Sequence, residues 1–417
     1  MRRENGITLI ALIVTLAVII VLLGVSINVF VNSDIIGHSE KTGQAYTNAL
    51  ENDKTIGNDG VTINGKRYAN MEDFGRGEEL IESNIPGGTK VDENKEYVIE
   101  GETRTAVIPG GFTISGKHSE RTIEGGLVIY LINDKTEEDI AKIDWNDEAT
   151  LKHLKETYDQ FVWVPVTDAN KMFMCQAKTE SDSGCDLKIE GNEVICQTHK
   201  TADAIKSKKM AGRLYATSSV GNFNSKLTTQ TYNANSGFRE PAIVTGKANG
   251  TGTSLDGSNN NNIGLTLSTL QEEYNNAVKK VIESKGFWIG RYETSGMNSS
   301  NDDIAVNIVA GKGTRSDGID KVNWYRMYKQ QQNYASKKNL DTSKIQSTMI
   351  FGAAWDQTML FANCAAETTP IKNYLAVITG NVETDCYKNI YDLCGNLMEW
   401  TTEAYDTSNR VYRGRHI

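Results

Sequence analysis

Residues 7–31, ITLIALIVTLAVIIVLLGVSINVFV, contain no charged side chain, and no other stretch restricts the architecture of the chain as strongly. A helix of these 25 residues runs about 37 Å at 1.5 Å per residue, longer than a bilayer core of roughly 30 Å. A helix apolar all round is either buried in a core or in lipid, and core helices are usually shorter than this, so the run predicts a single membrane-spanning helix in contact with lipid. Arg2 and Arg3 precede it, while Asp34, Glu40 and Glu51 lie beyond it. The positive-inside rule then leaves residues 34–417 outside the cytoplasm, at the cell membrane.

The run is too long for a secretory signal and lacks a small-x-small exit. Gly6 followed by Ile7-Thr8-Leu9-Ile10 resembles the leader of type IV prepilins and pseudopilins. The resemblance implies a leader over residues 1–6, cleavage between Gly6 and Ile7, and methylation of the new terminus. In that family the fifth residue after the cut is usually a glutamate that pairs with a neighbouring subunit's terminal amine. Here it is Ala11. Without that carboxylate the helix is expected to serve as an anchor, or in a minor tip subunit with pilin-like partners, rather than in a pilus shaft.

Over the whole chain the composition is that of a globular protein, with 39% hydrophobic and 23% charged residues. A net charge of −9 argues against nucleic-acid partners, because it supplies no basic face for phosphates. Thirty-seven glycines against five prolines point to a loop-rich body containing β-structure. Around Asn64-Gly65, the segment Val61-Thr62-Ile63 and Lys66-Arg67-Tyr68 carries a hairpin signature. Further strand-like runs are Tyr97-Val98-Ile99 and Thr105-Ala106-Val107-Ile108, which make residues 32–103 a linker and small β spacer.

Strands are predicted at residues 126–132 and at Phe161-Val162-Trp163-Val164-Pro165, the latter stopping at its proline. Residues 136–161 are helical in pattern, with Ile140, Ile143, Leu151, Leu154 and Tyr158 at three- and four-residue spacing. Residues 170–264 read as an insertion that ends in an asparagine-rich run with little to bury. Ser268 and Gln271 form a capping box for a helix closed by Gly286. Two more helices are predicted over 322–339 and 353–364. Their aromatic stripes, Trp324, Tyr325 and Tyr328, then Trp355, Met359, Leu360 and Phe361, are assigned to the core.

In order along the chain, Phe161-Val162-Trp163-Val164-Pro165, Gly286-Phe287-Trp288-Ile289-Gly290-Arg291-Tyr292-Glu293, Trp355-Asp356 and Asp392-Leu393-Cys394-Gly395-Asn396-Leu397-Met398-Glu399-Trp400-Thr401 resemble the formylglycine-generating-enzyme (sulfatase-modifying factor) family. The signature residues are Gly395, Asn396, Glu399 and Trp400, and the resemblance covers roughly residues 104–413. It implies an α+β chain: a transmembrane helix, a small β-rich spacer, then an irregular C-type-lectin-like domain over 104–417. In the family, a longer region after the Arg-Gly element carries the copper-binding cysteine pair of the oxidase. Here Gly414 is followed by Arg415-His416-Ile417, and Cys364, Cys386 and Cys394 do not stand in the matching positions. The domain is therefore expected to be incomplete at its C-terminus, to bind no copper and to perform no catalysis.

Relatives of this fold also display ligand-binding faces, as the targets of diversity-generating retroelements do. The expectation is a membrane-anchored bacterial or phage surface protein whose lectin-like domain binds or displays an unknown extracellular ligand. The alternatives are a formylglycine-generating-type oxidoreductase and a minor pilin or pseudopilin. The resemblance also implies a structural calcium at Asn396 and Glu399, whose hard oxygen ligands suit that ion. An arginine partner for Glu399, Arg291 or Arg413, is the competing reading. Cys175, Cys185 and Cys196 are spaced by ten and eleven residues, unlike the close pairs of a zinc site. Six cysteines allow 15 complete pairings, with a local bridge expected within 175–196. The histidines at 38, 118, 153, 199 and 416 are scattered and read as surface residues.

Overall fold

The computed structural model describes residues 61–63, 66–68, 71–175, 185–199, 205–207, 267–301, 303–312, 322, 324–362, 378–380, 386–393, 396, 399–404 and 410–413. Among them no helix is long and apolar enough to cross a membrane. The run 7–31, the Gly6–Ile7 junction, the asparagine-rich stretch and Gly395 lie outside the described residues. The chain divides into two units, Met1–Leu80 and Ile81–Ile417.

In the first unit the two strands flanking the Asn64-Gly65 pair are present as expected, the pair itself lying outside the described residues. Strand β1 (Val61–Ile63) pairs antiparallel with β2 (Lys66–Tyr68), Val61 opposite Tyr68. Helix α1 (Met71–Arg76) comes next, and Tyr68 packs edge-on against Phe74 at 5.1 Å.

The second unit begins with strands β3 (Lys95–Val98) and β4 (Thr105–Ile108), which pair with each other across residue 104. The segments on either side of residue 104, separated there on sequence grounds, are thus joined by a hairpin, and residues 81–103 share one compact unit with residues 104–417. Next come β5 (Thr113–Ile114), β6 (Val128–Tyr130), α2 (Glu137–Ala141), α3 (Glu148–Thr157) and β7 (Gln160–Pro165). The long helical pattern is split, because Thr136 and Asp147 each cap a helix by accepting a backbone N–H three residues on. Strands β8 (Phe173–Cys175), β9 (Leu187–Glu190), β10 (Glu193–Cys196) and β11 (Ile205–Ser207) lead to helix α4 (Leu267–Ser284) and strand β12 (Gly286–Gly290). Helices α5 (Trp324–Gln332), α6 (Tyr334–Lys337) and α7 (Gly352–Ala362) precede β13 (Cys386–Tyr387), β14 (Ile390–Tyr391), β15 (Glu399–Ala404) and β16 (Arg410–Arg413).

The central sheet is antiparallel in the order β12-β7-β6-β5. Both faces are covered, which is why β6 reads as a continuous apolar run instead of an alternation. Val128, Tyr130, Val162 and Val164 face a core built with Leu151, Leu154 and Trp355. Leu127, Ile129, Leu131 and Trp163 face the other way, against Tyr97, Ile108 and Ile114. Fully burying side chains of this size contributes about 1.5–3 kcal/mol each. The tryptophan stripe is core as expected, with Trp324 and Trp355 buried, but Leu360 is half exposed on the outer face of α7.

Two glycine positions differ in kind. Lys285, not Gly286, takes the left-handed conformation that ends α4, with φ of 56°. Gly286 serves β12, where a Cβ would stand 2.3 Å from Trp163 Cζ2 and 2.8 Å from the Val164 carbonyl oxygen. At Gly126 both demands coincide: φ is +96°, and a Cβ would stand 2.0 Å from the Lys388 carbonyl oxygen. Gly126→Ala should therefore lower the unfolding free energy by about 2–4 kcal/mol, combining left-handed strain with overpacking. Gly101→Ala, also at positive φ but facing open space, should cost only about 1 kcal/mol. Denaturant unfolding of the two variants checks the difference.

Candidate functional site

The residue after β12, Arg291, is almost wholly buried and so needs an answer from every side. Its Nη2 donates to Glu120 Oε1 at 2.8 Å, and its Nη1 to Gln160 Oε1 at 3.1 Å and the Tyr130 hydroxyl at 3.3 Å. Glu120 Oε2 accepts from Ser115 Oγ and from the Tyr130 hydroxyl. Burial opposes ionisation of Glu120, yet the Arg291 guanidinium and Ser115 hydroxyl hold its carboxyl below the usual glutamate range. The guanidinium carbon also lies 5.7 Å from the centres of both the Tyr292 and Tyr391 rings, which stack on each other.

This is where the C-terminal motif joins the sheet. Tyr391 N donates to the Arg291 carbonyl oxygen, and Asn389 Nδ2 donates to the Gly126 carbonyl oxygen at 2.7 Å. Asp392, at φ of 61°, accepts from Thr379 Oγ1 and Gly380 N, while burial raises its carboxyl above the usual range. Asn396 also adopts positive φ, 58°, as a Gly-Asn turn demands, and its Nδ2 donates to the Glu293 carboxylate. Glu399 and Trp400 open β15, opposite Arg413 and Tyr412 of β16.

Both candidate arginines have a buried carboxylate partner of their own. Arg291 goes to Glu120, and Arg413 goes to Glu403, four residues beyond the motif glutamate. Arg413 Nε and Nη2 reach the two Glu403 oxygens at 2.9 and 2.7 Å, both side chains being fully buried. The carboxylate rests against Gly352 at the start of α7, where a Cβ would come within 2.5 Å of it and the helix dipole favours negative charge. Trp324 Nε1 donates to the Thr401 carbonyl oxygen at 2.7 Å. The motif strand is thus fixed from α5, α7 and β16.

Along β12 runs a cavity of about 390 Å³, lined by Trp288, Tyr292, Met297, Ile308, Trp355 and Trp400 among others. Among the described strands β12 pairs only with β7, so its far edge borders this cavity, and its side chains from Phe287 to Ile289 are only half buried.

A second centre lies in the segment read as an insertion. Cys175 ends β8, Cys185 precedes β9, Cys196 ends β10 opposite Leu187, and His199 sits in the turn after it. Their Sγ and Nδ1 atoms all lie within 4.8 Å of one another. Cys175 Sγ is 3.6 Å from Cys185 Sγ, so the described cysteines remain thiols where a bridge was expected. His199 is not an isolated surface residue: its Nδ1 is 3.2, 3.7 and 3.1 Å from the sulfurs of Cys175, Cys185 and Cys196. Burial and the neighbouring thiols push the Cys175 thiol up to about 12. Burial resists ionisation of Cys196 too, but hydrogen bonds from the His199 backbone, the Cys175 and Cys185 thiols and the Asp186 backbone bring its thiol below the usual value. The sequence signal that could have found this group is the short Cys196-Gln197-Thr198-His199 spacing, with two cysteines upstream.

No family model, curated protein or solved structure matches the chain.

Arg291→Met should destabilise the second unit by about 3–5 kcal/mol at neutral pH, because it strands the buried Glu120 carboxylate. Glu120 has a depressed folded pKa, so its contribution is present above the unfolded value of about 4.3 and is lost as pH falls through the folded value. The gap between variant and unchanged protein in denaturant unfolding should accordingly narrow under acid conditions.

Proposed function

We propose that this is a membrane-anchored extracellular binding protein of lectin-like type, held in the lipid by residues 7–31 and taking its ligand in the groove beside β12. The groove is the observation that carries the reading. Its volume suits a small-molecule or short-chain ligand, and its wall is aromatic, a surface on which sugar rings and apolar side chains stack. The edge of β12 away from β7 adds main-chain donors and acceptors, which recognise an extended ligand with little demand on its side chains. Calcium belongs to the same proposal, with Asn396 and Glu399 as hard oxygen ligands beside the groove wall at Trp400.

Two measurements test this. The full chain should remain with the membrane fraction, and protease added to intact cells should degrade the body; a protected body overturns the topology. In a panel of immobilised oligosaccharides and extended peptides, at least one probe should bind the full chain in detergent. Met297→Arg, which puts a charge into the groove, should weaken that binding about tenfold or more, equivalent to about 1.4 kcal/mol. Binding unchanged by the charge would move the site elsewhere. Isothermal titration with calcium decides the ion separately.

A further inference from the structure

The cysteine–histidine group has the dimensions of a closed mononuclear metal site. A tetrahedral ion with bonds of about 2.3 Å to sulfur and about 2.0 Å to nitrogen holds its ligand atoms roughly 3.5–3.8 Å apart. The 3.6 Å between the Cys175 and Cys185 sulfurs and the 3.1 to 3.7 Å from the three sulfurs to Nδ1 fall close to that spacing, and all four atoms lie within 4.8 Å of one another. A disulfide requires about 2.05 Å, uses two of the three sulfurs and leaves the histidine without a role. An iron–sulfur cluster spreads its thiolates over several metal atoms, whereas here all four ligand atoms fit within 4.8 Å. Thiolate and imidazole are soft or borderline ligands, which disfavours calcium and magnesium.

We propose that Cys175, Cys185, Cys196 and His199 bind one zinc ion through three thiolates and Nδ1. Four protein ligands leave no open position, so the site is structural. Binding releases the three thiol protons to solvent and leaves a centre of net charge −1, with His199 neutral and its proton on Nε2.

Local structure places the ligands without strain. The β9–β10 hairpin turns at Gly191, with φ of +60°, and brings Cys196 opposite Leu187, two residues after Cys185. Asn170 Oδ1 accepts from Leu187 N at 2.8 Å, and β11 pairs Ile205 with Cys175, so β8 and the hairpin arrive at the same point. The ion ties the end of β8, the entry to β9 and the end of β10 together. Behind it Phe173, Met174 and Val194 pack on Tyr274 and Val278 of α4. Zinc therefore holds together the hairpin layer that packs on the helix leading into β12.

Elemental analysis of the full chain, purified in detergent without chelator or added metal, should find one zinc per chain. Zinc content should fall about tenfold or more in Cys196→Ser, survive in His199→Cys, which keeps four ligands, and be unaffected by Cys386→Ser. Replacement by cobalt(II) should give the visible bands of tetrahedral cobalt with thiolate charge transfer. If Cys196→Ser does not fold, the metal content and cobalt spectrum of the unchanged chain decide alone. Bound iron in place of zinc, no metal with every thiol open to alkylation, or a disulfide between any two of these cysteines would each overturn the proposal.

Discussion

A guanidinium shut away from water forces its neighbours into place, and the second unit is arranged around that requirement at Arg291. Its carboxylate comes from the turn after β5, its hydroxyl neighbour from β6, its amide from β7, and its two aromatic flanks from the residue beside it and from β14. Every strand of the central sheet is either the source of a partner or adjacent to one. The same arrangement recurs nearby with opposite sign. Buried Asp159 accepts from Ile308 N, the Tyr334 hydroxyl and Lys338 Nζ, which pins α6 and the 308 segment to the end of α3. Charges buried in this way add little net stability against an apolar core, but they are unforgiving of misplacement. They specify one packing.

The C-terminal motif is then intelligible as joinery. The residues that lead into it, Asn389 and Tyr391, dock on Gly126 and Arg291, and its end enters β15, which is joined to β16 by the buried Glu403–Arg413 pair at the head of α7. The motif glutamate Glu399 stands at the strand's entrance, beside the groove, while the carboxylate four residues on carries the structural duty. A loop of this kind holds a scaffold together and leaves its neighbouring surface available.

Much of the fold was legible in the sequence, because periodicity and turn chemistry are local. The strand pair flanking Asn64-Gly65 and the strands around Val128 and Trp163 come from such signals, as does the existence of the helix Leu267–Ser284, although Ser268 lies inside its first turn and not at the cap that the capping-box pattern assigned to it. What was not legible depends on side chains meeting across long separations. Neither Glu120 nor Glu403 stands out as the partner of a particular arginine, since one carboxylate looks like another until the backbone is placed. The split between α2 and α3 was readable from Thr136 and Asp147, but the apolar spacing masked it. The cysteine group escaped because its ligands come from a strand end, a strand entrance and a hairpin end, so the spacing along the chain reflects the hairpin length and not the metal geometry.

The clasp between Gly126 and Asn389 joins residues 263 positions apart, and Arg291 meets Glu120 across 171. Contacts so distant in sequence make for slow, high-contact-order folding. They also set an order of events during synthesis. The central strands β6 and β7 exist long before Arg291 and Asn389 emerge, so the sheet waits with Glu120 unanswered and its apolar faces uncovered. For this chain, completion of the core is a late step, and the vulnerable interval lies between the making of residue 165 and that of residue 391.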